Sequence, residues 1–229
     1  MKTLAEQAIK IESLTEEHTA SAVKLFVNSF CESEPITKHL NIKKEDYVPF
    51  ATEVVKKAVK DRLSLAVLSH DKVIGLIIAE DLADPFQPSV AKYPMLRPVI
   101  SLLEELSKPM LEGREFTKGK VMHTWIAAID PQFRSTGLYT EVGITHVKLA
   151  AKKGFDFIYS DFTNDISEKI IRNFPVELCN KVALSSFEYR PFAGLEGSAS
   201  AYITPLKPGV KVDSLEKCYT LSSKAAVKS

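Results

Sequence analysis

Apolar residues along the chain recur with two periods, and the switches between them mark out the elements. "AIKIESL" alternates like a short strand. "TEEHTASAVKLFVNSF" follows, with Thr15 placed as an N-cap and Ala22, Leu25, Phe26 and Phe30 at helical spacing. "KKEDYVPFATEVVKKAVKD" predicts a second helix that buries Val54, Val55, Ala58 and Val59 and turns its lysines outward. Two β-rich runs in "LSLAVLSHDKVIGLIIAED" join through "SHDK" as a hairpin. "YPMLRPVISLLEELSKPMLEG" spaces its leucines as a helix bounded by prolines, and "GKVMHTWIAAIDP" is a long strand closed by Pro131. "STGLYTEVGITHVKLAAKKG" predicts an amphipathic helix capped by Gly154. After it come a strand, "FDFIYSDF", a short helix, "NDISEKIIRNF", and two closing strands, "VALSSFEYRP" and "SASAYITPL".

Helices interleaved with strands in this order predict an α/β or α+β fold, a mixed central sheet flanked by helices. No linker composition interrupts it, so the chain reads as a single domain over 9–207, with an N-terminal extension over 1–8 and a small, polar, basic C-terminal tail over 208–229. The 229 residues are 45% hydrophobic and 26% charged, enough to bury a core. Thirty basic residues against 29 acidic ones argue against nucleic acid as a partner. Cys31, Cys179 and Cys218 are odd in number and far apart, which predicts neither a disulfide framework nor a metal site. No apolar run is long enough to span a membrane, and the N-terminus lacks a secretion signal's apolar core. The expected compartment is the cytoplasm.

One stretch carries chemistry. In "IDPQFRSTGLY", a strand ends in a glycine-containing loop and feeds directly into a helix. Such a corner presents free backbone N–H groups to one spot, and the helix dipole adds positive potential there, so an anionic phosphate is welcome. Arg134 supplies a charge, Gly137 lets the backbone approach closely, and Ser135 and Thr136 offer hydroxyls. The loop lacks the Gly-Lys-Ser/Thr of a P-loop and two of the three glycines of a dinucleotide site. Read alone, it is equally well a turn that needs one glycine.

The same stretch resembles the acetyl-CoA signature of the GCN5-related N-acetyltransferases, Arg/Gln-x-x-Gly-x-Gly/Ala after a strand ending in a Val/Ile-x-Pro turn. Ile129, Pro131, Arg134 and Gly137 match, and Tyr139 departs from the small final residue. The element order is similar to that fold across roughly residues 9–207. "FVNSFCESEPITKHL" resembles the Phe-Phe-x-x-Asp/Glu-Pro segment of insect-type arylalkylamine N-acetyltransferases, and "AEDLADPFQPSVAKYPMLRPVISLLEEL" resembles their long insertion.

The resemblance implies a GNAT-like single domain with splayed central strands and acetyl-CoA as cosubstrate. Backbone groups from Thr124 to Ile129, Ala128 and Ile129 among them, would hold the pantetheine. Those of Arg134, Ser135, Thr136, Gly137, Leu138 and Tyr139 would hold the pyrophosphate. Because these are main-chain contacts, Tyr139 qualifies the match without cancelling it. Glu34 becomes the general base, with Glu32 as its substitute if the alignment slips by two; the residues alone also allow a solvated loop glutamate. Asn164 would touch pantetheine. Ile171 sits where a tyrosine acid is common, so Thr163 and Ser167 are the remaining polar candidates. They share one helical face if both lie in the helix, and as ordinary cap residues they need no catalytic role. His123 could line the site or relay protons, and Tyr159, Tyr189 and Tyr202 read as core or pocket wall. The implied activity is acetyl transfer to a small primary amine, arylalkylamine-like, by a monomer or homodimer; a CoA-binding module without turnover is the alternative.

Overall fold

The structure, a computed structural model, describes residues 8–187, 190–207 and 209–222. Strands β1 (Ile9–Ser13), β2 (Leu65–Ser69), β3 (Lys72–Asp81), β5 (Val121–Ile129), β6 (Phe157–Phe162), β7 (Glu177–Ala183) and β8 (Ser198–Pro205) form one seven-stranded sheet in the order β1-β2-β3-β5-β6-β8-β7. β4 (Arg114–Phe116) and β9 (Tyr219–Leu221) make a separate antiparallel pair. The helices are α1 (Thr19–Ser33), α2 (Pro35–His39), α3 (Lys44–Asp61), α4 (Arg97–Leu111), α5 (Leu138–Lys152) and α6 (Asp165–Ile171). The mixed sheet flanked by helices is the predicted class. By packing, the chain falls into two compact units, one reaching to Glu80 with Thr124–Leu149 added, the other comprising Asp81–His123 and the residues from Ala150 on.

In the first unit β1, β2 and β3 run antiparallel. The β2–β3 turn places His70 and Asp71 at φ 48° and 62°, the paired left-handed geometry of a two-residue hairpin that follows the sheet's twist. Thr15 does not cap α1 directly. It opens a 3-10 turn at Glu16–His18, where its backbone N–H donates to His18 Nδ1 at 3.2 Å, and α1 starts one residue later. Ala22, Leu25 and Phe26 of α1 and Tyr47, Phe50, Ala51, Val54, Val55 and Ala58 of α3 are buried. Val59, expected among them, is half-buried. Gly75 of β3 is required by space: a Cβ there would stand 2.6 Å from Ile129 Cδ1. α5 buries Leu138, Val142 and His146 along a single i, i+4 row.

In the second unit β8 lies between β6 and β7, antiparallel to both. α4 buries Leu102, Leu106 and Met110, again one row. Asn180 of β7 donates its amide to the carbonyl of Leu106 at 2.9 Å, tying helix to strand. Two expectations shift here. The penultimate strand covers Glu177–Ala183 instead of 182–191, and a 3-10 turn at Leu184–Ser186 ends it. Glu177, Asn180 and Lys181 hid the strand from pattern reading, because an edge strand is half polar. The segment read as a tail carries structure as far as Leu221: a 3-10 stretch, Val212–Cys218, buries Leu215 and Cys218, and β9 then pairs with β4. Tyr189, residues 1–7 and residues 223–229 lie outside the described residues.

Candidate functional site

The corner between β5 and α5 is built by short-range bonds. The Asp130 amide donates to the Ile74 carbonyl (2.7 Å), anchoring the strand end. Asp130 Oδ1 accepts from the Gln132 amide and caps a 3-10 turn, Pro131–Phe133. Thr136 Oγ1 donates to the Phe133 carbonyl at 2.7 Å, so this hydroxyl, expected to face a ligand, is committed to the loop. Arg134 is exposed and its Nε returns to the Ile129 carbonyl at 3.1 Å. That occupies one lone pair of a carbonyl assigned by resemblance to the pantetheine. Ser135 (φ 60°) and Gly137 (φ 87°) both adopt left-handed backbone. A Cβ at Gly137 would meet nothing within 4 Å, so conformation rather than protein crowding calls for glycine there.

What the corner leaves open is its amides. α5 begins at Leu138, and the Glu141 amide is the first to find a partner, the Gly137 carbonyl. Among the described residues, the N–H groups of Ser135, Thr136, Gly137, Leu138, Tyr139 and Thr140 meet no protein acceptor. Six such donors lie at the start of a 15-residue helix, where its dipole is positive and an anion is favoured. Tyr139 does not fill this space. Its ring packs on the buried cluster of Val67, Ile74, Ile77, Ile129, Leu138 and Val142, and burial pushes its phenol up to about 12. Ala128 and Ile129 are themselves buried, which leaves only their backbone to a ligand.

β5 meets α5 on its way to this corner. Thr124 Oγ1 lies 2.9 Å from His146 Nε2 of α5, and Ile129 shares a buried cluster with Leu138 and Val142 of the same helix. His146 Nδ1 has no partner, and burial lowers the imidazole's pKa to about 4. This residue was not among the sequence candidates; its i, i+4 register with Leu138 and Val142 is the signal that could have marked its burial.

Glu34 stands between α1 and α2, half-buried. Its two carboxylate oxygens accept from the Ile36 and Thr37 amides at 3.2 and 2.7 Å, so it is the N-cap of α2. Tyr47, close enough to feel its charge, belongs to a chain of rings. Phe26 meets Phe30 (centroids 4.9 Å) and Tyr47 (5.6 Å), and Phe50 meets Trp125 (5.9 Å). Phe30 and Trp125 are half-buried, the others buried. Burial, with the nearby Glu34 charge, holds the Tyr47 phenol well above its usual pKa and hence protonated. Glu32, the alternative base, is exposed and salt-bridged to Lys44.

In the other unit, the corner between β6 and α6 is closed by its own side chains. Asn164 Oδ1 caps the Ser167 amide at 2.9 Å, and the Ser167 hydroxyl donates back to the Asn164 carbonyl at 3.1 Å. Thr163 precedes the cap and lies outside α6, so it shares no helical face with Ser167, contrary to the condition set for that pair. Ile171 is the last residue of α6. Nearby Tyr202 donates to Glu168 Oε1 (2.8 Å) and accepts from Arg172 Nε (2.9 Å), with Lys181 completing the cluster; all its groups are engaged.

Comparison with solved structures identifies the fold. The condensation domain of Ebony, solved with β-alanyl-dopamine, superposes with a TM-score of 0.78 at 16% identity, covering 87% of this chain and 99% of that one. Arylalkylamine N-acetyltransferase 7 of Aedes aegypti gives 0.72 at 14% (87% and 88% covered), and arylalkylamine N-acetyltransferase 2 of the same mosquito 0.70 at 15% (87% and 100%). The chain has the GNAT fold. No model of a known sequence family matches it.

Proposed function

We propose that the protein is an acetyl-CoA-dependent N-acetyltransferase acting on a small primary amine. The observation that carries this is the run of unpartnered amides from Ser135 to Thr140, at the corner of the GNAT fold where a diphosphate would need them. They would hold the pyrophosphate, with the guanidinium of Arg134 beside them. Backbone groups of Ala128 and Ile129 would hold the pantetheine, and an N–H of that strand would polarise the thioester carbonyl. The amine enters as the free base; its lone pair forms the new C–N bond, the C–S bond breaks, the thiolate leaves with the electron pair, and the proton the nitrogen gives up neutralises the thiolate. The half-buried Phe30 and Trp125, set among the rings near Glu34, favour an arylalkyl acceptor, whose ring they would flank and whose ammonium Glu34 would attract.

Titration calorimetry with acetyl-CoA, followed by thiol release against a panel of arylalkylamines, polyamines and amino acids, tests this reading. Binding and amine-dependent thiol release are expected, fastest with an arylalkylamine. Absence of acetyl-CoA binding sinks it. A second reading, a CoA-binding module without turnover, draws on Ile171 at the usual position of the acid and on the engagement of Glu34 as a helix cap. Binding without thiol release selects that reading.

A further inference from the structure

The α1–α3 face of the first unit carries a groove that the preceding reading does not use. The two helices run antiparallel: Lys44, at the start of α3, donates to Asn28 Oδ1 near the end of α1 at 2.8 Å and pairs with Glu32. Toward the other ends of the two helices lies a cavity of about 630 Å³. The 3-10 turn before α1 gives one wall Glu16 and Glu17, and α3 gives the other Lys56 and Lys60. The floor is apolar: Ala20 is exposed there, and Val23 and Val59 are half-buried. The apolar strip continues past Thr52 to Val48, one turn away on α3 and 41% exposed. All four charged side chains on the walls are exposed. Among the described residues none of the four has an ion-pair or hydrogen-bond partner for its charge.

We infer that this groove is an interface between two copies of the chain. The occupant follows from the charges. An acidic or a basic ligand would meet repulsion from half of the walls, and a purely apolar one would cover four charges without pairing them. A second copy carries both signs in the matching places. With a two-fold axis along the groove, Glu16 and Glu17 of one copy lie over Lys56 and Lys60 of the other, and symmetry repeats the match on the opposite wall. The same axis stacks the two apolar floors and removes Ala20, Val23 and Val59 from water. An axis across the groove would instead set acid over acid, so the charges select one geometry. The chain's formal charge of +1 sets up no long-range repulsion between copies. The interface is independent of acetyl transfer, and its test needs no cofactor.

Sedimentation velocity on the full chain over a dilution series is the test. The wild type is expected to dimerise reversibly, and more weakly at high salt, because exposed charges are screened. Lys56→Glu with Lys60→Glu makes both walls acidic, and Glu16→Lys with Glu17→Lys makes both basic. Each variant alone is expected to weaken the dimer at least ~10-fold, since like charges then oppose on both walls. Mixed in equal amounts, the two variants should form a heterodimer about as tight as the wild-type dimer. Ala20→Arg, at an exposed floor position, should abolish dimerisation. A wild type that stays monomeric up to about 1 mM, the weak end of measurable association, overturns the inference. So do charge variants that dimerise as the wild type does, or a mixture that stays monomeric. Each of these outcomes leaves the acetyltransferase reading intact. Should a charge variant not fold, Ala20→Arg decides: an unchanged dimer places the contact elsewhere and overturns the inference.

Discussion

Two strands in this protein run straight into helices, and the two corners are finished in opposite ways. At the entrance to α6, Asn164 caps the Ser167 amide and the Ser167 hydroxyl donates back to the Asn164 carbonyl, so that of the first turn only the Asp165 and Ile166 amides meet no protein acceptor among the described residues. At the entrance to α5, Thr136 spends its hydroxyl on the loop, no side chain caps the helix, and six amides stand unpartnered. A missing cap costs a helix about 1 kcal/mol, and the left-handed Ser135 adds roughly another 1. The α5 corner thus carries both costs and the longer run of open amides, as a corner completed by an outside acceptor would. Asn164 and Ser167, both sequence candidates, are bonded to each other at this cap.

The largest effect predicted for the α5 side comes from its buried row. His146 remains neutral in the folded protein down to about pH 4, whereas the unfolded chain protonates it near 6.5. Its contribution is therefore complete above pH 6.5 and drains away as the pH falls toward 4, below which it is constant. At about 1.4 kcal/mol per unit the loss is about 3 kcal/mol. Urea denaturation of wild type and His146→Gln at pH 7 and pH 4.5 checks this. Carboxylates contribute to both proteins alike, so the wild type should lose clearly more stability than the variant over that interval. Equal losses would mean that His146 is not held neutral by burial.

The two corners also differ in how far they could be read in advance. Pro131, Arg134 and Gly137 announced the α5 corner because proline and glycine punctuate backbone locally, whatever the rest of the fold does. The i, i+4 rows of α4 and α5 were equally legible. What stayed hidden depends on long-range contact. The inward turn of Tyr139 requires the cluster from β2 and β3, and the contact of Thr124 with His146 joins β5 to α5 across 22 residues. The pairing of His123 with Asp161 joins residues 38 apart in sequence. Strands β4 and β9, three residues each, are too short to show a period.

Next in size is the glycine at the open corner. Gly137 sits at φ 87°, where a β-branched residue is strained by roughly 2 kcal/mol or more. Gly137→Val either rotates the loop out of this conformation or bears the strain. In both cases the amides lose their arrangement, and acetyl-CoA affinity should fall about 30-fold, the equivalent of those 2 kcal/mol. Gly137→Asn, which tolerates left-handed backbone, should lose much less. Calorimetric affinities for the two variants decide the matter, and a valine variant that binds as wild type does would mean that the corner is not the diphosphate site.

The smallest effect is the most discriminating between the corners. Asn164→Ala removes the α6 cap and should cost about 1 kcal/mol in denaturant midpoint analysis. Because its carboxamide oxygen already serves the helix, acetyl-CoA affinity should change less than threefold. Asn164→Asp, which keeps the capping oxygen and adds favourable charge at a helix start, should restore the stability. If instead Asn164→Ala and Asn164→Asp both weaken acetyl-CoA binding tenfold while the fold holds, the side-chain NH2 is a ligand contact. The α6 corner then contributes to cofactor binding despite its cap, and a closed helix entrance can no longer be taken as one unavailable to a ligand.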